Sequence, residues 1–293
     1  MAYGGRQSRG NPGQRCHARA VGVIVGTIHV ECEGSAVNDA IASESHEQES
    51  AELAGFRGRV RGWLTENAER RDAVSDSGHA ADDHEGESLR AVEVAKDFQA
   101  KLFDAKLAGL SWPTVYGGQG LTAEHERVFN EEAADYVIPT GPFIIGLGMC
   151  APTLLEYGTE EQRLRHLPRM LRGDEVWCQL FSEPGAPFDV ASLRTRAVRD
   201  GDEWVINGQK IWTAGAHHSD YGLLFAHVDG DAPQRRGVTM FVVDMRSPGV
   251  SVTSRWPATG RSAAIEVLLE DVRIPASSLV GTVNKTGGLP SHH

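Results

Sequence analysis

With 293 residues the chain can hold one large domain or two modest ones, and its formal net charge of −11 excludes nucleic acid and anionic membrane surfaces as main partners. Hydrophobic residues make up 40%, enough for a packed core, yet no apolar run approaches the length of a transmembrane helix. The cysteines, Cys16, Cys32, Cys150 and Cys178, show neither CxxC spacing nor a disulfide framework, which excludes a structural zinc site and fits a reducing cytoplasm.

Residues 1–49 are rich in Gly, Arg and Ser without sustained periodicity and read as an extension outside the fold. Arg6, Arg9, Arg15 and Arg19 precede the apolar run Ala20–Val30 and then Gly34-Ser35-Ala36, a pattern close to a signal peptide; the cytosolic character of the rest of the chain favours a plain tail. From Ala51 to Arg71 the pattern is helical, with Leu53, Phe56, Val60, Trp63 and Leu64 on one stripe. Residues 72–87 form a polar linker, where His79 and His84 sit among acids with no third ligand at a defined spacing. A second helix is expected over Ser88–Leu110, with Ala91, Ala95, Phe98, Leu102 and Ala105 inward. The turn-rich Ser111-Trp112-Pro113 to Gly120 connection leads to a helix over Thr122–Val137, with Phe129, Ala133 and Tyr136 on one face. Glu126, Glu131 and Glu132 on that helix read as solvated surface. Pro142–Tyr157 is apolar nearly all round and predicts a buried helix capped at Gly158. Thr159 with Gln162 forms a capping box for the next helix, whose inner face is Leu164, Leu167 and Leu171; Pro168 is expected to kink or split it, and Gly173 ends it.

From Glu175 the hydrophobic period changes from helical to strand-like. Strands are expected over Val176–Phe181 and Ala191–Val198, where Leu193, Thr195 and Ala197 alternate with arginines. A turn comes next at Asp200-Gly201-Asp202, and Asn207-Gly208 is a two-residue hairpin signal. Tyr221–Val228, Val238–Met245, Val250–Val252 and Ala264–Leu269 complete the strands. Helices first and strands afterwards predict an α+β, multi-domain chain: an α-helical domain over 50–173, an antiparallel β-barrel domain over 174–282 and a tail over 283–293.

Two stretches carry chemistry. Ser182-Glu183-Pro184-Gly185-Ala186 is a loop of small and turn-forming residues directly after an apolar strand, so backbone N–H groups can approach a ligand. Gly208-Gln209-Lys210-Ile211-Trp212-Thr213 ends a later strand with an indole beside a hydroxyl. An aromatic plane, hydroxyls and free amides suit a flat, hydrogen-bonding ligand such as a flavin ring.

Together these stretches resemble the middle domain of the acyl-CoA dehydrogenase family, in which Ser/Thr-Glu-Pro-x-Ala-Gly-Ser-Asp precedes Asn-Gly-x-Lys-x-Trp-x-Ser/Thr; here the motifs stand as Ser182–Asp189 and Asn207–Ala214. The loop Trp112-Pro113 to Tyr116-Gly117-Gly118 and Gly120 is similar to a second family motif, so the likeness runs from Ala51 to about Asn284. It implies FAD as cofactor, an acyl-CoA substrate, an electron-transfer flavoprotein as acceptor and a homo- or hetero-oligomer. It also implies that Phe181 and Ser182 border the pyrimidine end of the flavin, that Trp212 packs on the rings and that Thr213 lies alongside. Pro187 and Phe188 stand where the family has Gly-Ser beside the phosphates, and Ala214 stands where it has a hydroxyl near N5. The family's glutamate base lies in a C-terminal four-helix domain whose counterpart is missing here, so no catalytic residue is assigned. Three readings are open: a flavoenzyme chain that is truncated or depends on a partner, a non-catalytic structural subunit or degraded remnant, and a β-barrel binding module.

Overall fold

The computed structural model describes residues 50–71, 84–185, 193–228, 238–255 and 264–283. The first half is helical. α1 (Ala51–Asn67) starts where the Ser50 hydroxyl accepts a hydrogen bond from the Leu53 N–H at 3.2 Å, and it buries Leu53, Phe56, Val60 and Leu64 at helical spacing. α2 (His84–Asp104) stops short of the expected Leu110, and Lys106 is left-handed at φ 61°. Its buried stripe is Ala95, Phe98 and Leu102; Ala91 and Ala105, expected inward, are exposed. α3 (Ala123–Ala133) ends before Tyr136, which lies instead in a two-residue ribbon of β1 (Glu69–Arg70) and β2 (Tyr136–Val137).

The acids of α3 are not simply solvated. Arg57 and Arg61 on α1 pair with Glu132 at 3.0 and 2.8 Å, and Arg57 pairs with Glu131 at 2.8 Å. Glu126 is buried and accepts from the Ser111 hydroxyl. Sequence periodicity carries no information about a partner on another element, so all three read as surface.

The expected Pro142–Tyr157 helix is a 3₁₀ turn (Gly141–Phe143), a π-helical turn (Gly146–Cys150) and α4 (Ala151–Tyr157). Glycines at 146 and 148 weaken the α preference there. α5 (Glu160–Arg172) opens on the expected capping box, with Thr159 and Gln162 bonded reciprocally at 3.2 and 3.0 Å. It runs through Pro168 without a break. The carbonyl that loses its donor belongs to Leu164, which is half-exposed, so water can serve it. His166, Leu167, Met170 and Leu171 form the buried face; Leu164 is not on it.

The second half is a sheet in the order β10 (Leu279–Val280), β7 (Val238–Asp244), β6 (Tyr221–Val228), β4 (Arg196–Asp200), β5 (Glu203–Ile211), β9 (Ala264–Pro275), β8 (Val250–Arg255). β3 (Trp177–Leu180) lies beside the start of β6. Most pairs are antiparallel, as expected, but β3 and β4 each run parallel to β6. β4, β5 and β6 alternate in direction along the chain, so β6 beside β4 rather than β5 must be parallel to it.

Asn207-Gly208 is not a hairpin turn. The turn is at Gly201-Asp202, and Asn207 and Gly208 sit within β5 at a register shift against β9. The Asn207 side chain bonds both the carboxylate and the N–H of Asp271, at 3.0 and 2.9 Å. A Cβ on Gly208 would lie 2.3 Å from the Thr195 hydroxyl, so close packing explains this glycine.

β6 and β7 are buried on both faces, which is why both read as continuous apolar runs. Leu224, Ala226, Phe241 and Val243 enter the sheet's inner core. Leu223, Phe225, Met240 and Val242 pack with the helices. Among the described residues no helix is long and apolar enough to cross a membrane.

Candidate functional site

The two chemistry-bearing stretches meet at one end of β3 and β5. β3 ends at Leu180, and the Ser182 carbonyl just beyond accepts from the Ile211 N–H, the last residue of β5, at 2.9 Å. The Phe181 ring stacks on Phe225 of β6, with centroids 3.8 Å apart. At the end of β5 the backbone turns left-handed at Trp212, φ 60°. That conformation is costly for a bulky residue and is held by its surroundings. Trp212 is 61% exposed, while Thr213 is 1% exposed and its hydroxyl has no partner among the described residues. Ala214 is exposed. The Thr213 N–H is tied to the Ile265 carbonyl of β9 at 3.3 Å.

Beneath this rim lies a buried ion pair that sequence reasoning missed. Lys210, fully buried, donates to a Glu183 carboxylate oxygen at 2.7 Å, to the Phe225 carbonyl at 2.7 Å and to the Phe181 carbonyl at 3.2 Å. Glu183, 3% exposed, also accepts from the Arg194 N–H, from the Thr195 N–H at 3.0 Å and from the Thr195 hydroxyl at 2.5 Å. Both residues stand within the two motifs. The available signal was Lys210 at an inward position: in β5 the buried residues are Trp204, Ile206 and Lys210, and a cation in such a series needs an acid.

Burial pushes the Lys210 ammonium down to about 8, against the Glu183 carboxylate beside it, so it is still charged at neutral pH. Burial raises Glu183, but the Lys210 charge and the hydrogen bonds from Lys210, Thr195 and Arg194 outweigh it and hold the carboxyl below its ordinary range. Hydrogen bonds from Arg61 likewise lead the lowering of Glu132. A carboxyl with a depressed folded-state pKa stabilises fully above its unfolded value of about 4.3 and loses that contribution as pH falls through the folded value. The chain is therefore expected to hold a constant urea midpoint from pH 7 down to about 5 and to lose stability steeply below about pH 4.3. A midpoint unchanged at pH 3 would show that neither carboxylate is specially stabilised by folding.

Of the candidate residues, the structure thus brings Phe181, Ser182, Trp212, Thr213 and Ala214 to one edge. Pro187 and Phe188 lie outside the described residues, as does His79. Two clefts, of about 280 and 260 Å³, lie elsewhere, between α5 and the sheet, and meet at Tyr221 and Asp244. Neither shares a residue with the motif cluster, and both mix acids with arginines.

Comparison with known proteins bears on this geometry. Residues 56–174 match the model of the acyl-CoA dehydrogenase N-terminal domain, and residues 178–272 match that of the acyl-CoA dehydrogenase middle domain. The acyl-CoA dehydrogenase IpdE1 of Mycobacterium tuberculosis is 38% identical over 227 residues, covering 77% of this chain and 58% of IpdE1. The crystal structure of the ChsE4-ChsE5 complex from Mycobacterium tuberculosis matches with a TM-score of 0.64 at 30% identity, over 82% of this chain and 59% of that one. A Tcur3481-Tcur3483 steroid ACAD matches at 0.61 and 32% identity, over 81% and 59%. The chain spans no more than about 60% of the length of the curated relatives it matches. The two domain models lie in family order, and the change from helix to sheet falls between them: the chain belongs to the acyl-CoA dehydrogenase family.

Proposed function

We propose that the Phe181–Ser182 and Trp212–Thr213 edge forms one wall of an FAD site, and that the whole protein catalyses α,β-dehydrogenation of an acyl-CoA thioester. One observation carries this reading: in a member of this family, an outward indole on a left-handed backbone adjoins a buried hydroxyl with no partner among the described residues. When bound, FAD supplies the two-electron acceptor for that reaction. The residues suit such a group. Trp212 offers an exposed aromatic plane, and Thr213 offers a hydroxyl whose burial is costly until something bonds it. Ala214 adds no hydroxyl, so the hydroxyls at this edge are those of Thr213 and Ser182.

Glu183 is not the base that removes the substrate proton. Its carboxylate is saturated by Lys210, Thr195 and Arg194, and its depressed pKa opposes proton capture. The IpdE1 match supports an acyl-CoA as substrate, and the steroid ACAD among the structural relatives supports a steroid-type lipid acyl group. A complex of two named subunits among the relatives supports assembly with a second chain. The family resemblance makes an electron-transfer flavoprotein the expected final acceptor. A second reading, a family subunit without its own FAD, is favoured by the missing hydroxyl at Ala214.

Flavin fluorescence titration separates the two. Saturable FAD binding is expected, and Trp212→Ala should weaken it about tenfold, the cost of one aromatic stacking contact. No saturable binding would select the second reading. Turnover of a panel of straight-chain and steroid side-chain acyl-CoA thioesters with a dye acceptor then tests the substrate class.

A further inference from the structure

The Glu183–Lys210 pair sits directly under the candidate cofactor edge, yet neither side chain reaches the surface where a ligand would lie. Lys210 ties three segments at once: the carbonyl of Phe181 after β3, the carbonyl of Phe225 within β6, and Glu183 in the Pro-Gly loop. Glu183 draws in a fourth, the entry to β4, through the Arg194 N–H and through the N–H and hydroxyl of Thr195. Gly208 leaves the space that Thr195 fills. The cluster therefore spans all the turns from which Phe181, Ser182, Trp212 and Thr213 project, and the Ile211 N–H to Ser182 carbonyl bond closes the ring at 2.9 Å.

Stability alone gives no reason for charges here. A buried ion pair loses about as much in desolvation as it gains in attraction, and apolar residues of similar volume are often equal or better. What a charged lysine does that a methionine does not is donate in several directions at fixed distances. We propose that Glu183 and Lys210 are positioning residues: their buried pair holds the backbone at 181–183 and 211–213 at a fixed spacing so that the cofactor edge is preformed. This rests on the proposed FAD site only for its affinity arm.

The double variant Glu183→Gln with Lys210→Met removes both charges without leaving either alone, so it stays folded where a single variant risks unfolding. The control is Val243→Ala, a β7 core truncation outside the cluster, with temperature or urea used to match stabilities. Hydrogen–deuterium exchange on the full chain is read at the amides of Ile211 and Thr213, bonded to Ser182 and Ile265. FAD affinity is read in parallel. The double variant is expected to speed exchange at these two amides at least tenfold beyond the control and to weaken FAD binding about tenfold, the worth of one well-made hydrogen bond. Equal exchange in double variant and control would overturn the positioning role, whatever the flavin does. If exchange changes as expected but the parent binds no FAD, the preformed edge stands and the FAD assignment falls. Changed exchange with unaltered FAD affinity would overturn the claim that the held spacing serves the cofactor.

Discussion

Replacing Lys210 alone with Met is expected to cost about 3–5 kcal/mol, because Glu183 then stays buried as an unpaired charge. The geometry leaves little room to relax. Glu183 is 3% exposed, its remaining donors are a backbone pair and one hydroxyl, and the Phe181 and Phe225 carbonyls lose a donor as well. The partner substitution should recover part of the loss: Glu183→Gln carries no charge, and its single amide oxygen can still accept from the Thr195 N–H, although its NH2 group then faces the Arg194 N–H. Urea unfolding of the parent, both single variants and the double variant closes a thermodynamic cycle. A coupling of about 2 kcal/mol or more is expected, in the range seen for residues that share one hydrogen-bonded network. Additive single effects would mean that the two groups do not sense each other, and the ion pair would have to be discarded as a feature of the fold.

Trp177→Ala is expected to be as severe, at about 3–5 kcal/mol. This indole is 1% exposed and opens the sheet domain on β3, yet it belongs to the helical core. Its ring meets His166 of α5 edge-on at 5.0 Å and Tyr221 of β6 at 5.3 Å. Its N–H donates to Glu175 at 3.1 Å, and Glu175 also bonds His166 at 2.9 Å. Truncation removes the largest fully buried side chain at the seam between helices and sheet, and a well-packed seam collapses only partly. Trp177→Phe keeps a six-membered ring but loses the N–H and part of the indole's buried volume, so about 1–3 kcal/mol is expected. Chemical unfolding followed by far-ultraviolet circular dichroism checks both. A loss under about 1 kcal/mol for the alanine variant would show that the seam is held elsewhere, and a biphasic curve would show that helices and sheet unfold separately.

Several features were legible in the sequence because their causes are local. The α1 stripe, the Thr159–Gln162 capping box and the change of period near Glu175 depend on neighbours within a few residues, and each stands where the sequence put it. The same holds for the two motifs and the family they mark. What only the tertiary structure decided involves partners far apart in the chain. Asn207-Gly208 has the chemistry of a tight turn, but Asp271 and Thr195, from elements distant in sequence, claim its side chain and its empty Cβ position, so the strand runs on. Pro168 removes one hydrogen bond at a site water can reach, a cost the packed face of α5 outweighs. β6 lies beside β4 through non-local pairing, which makes a parallel contact inside a mainly antiparallel sheet. Glu183 and Lys210, twenty-seven positions apart, look like ordinary polar residues until folding takes both out of water and leaves each as the other's partner.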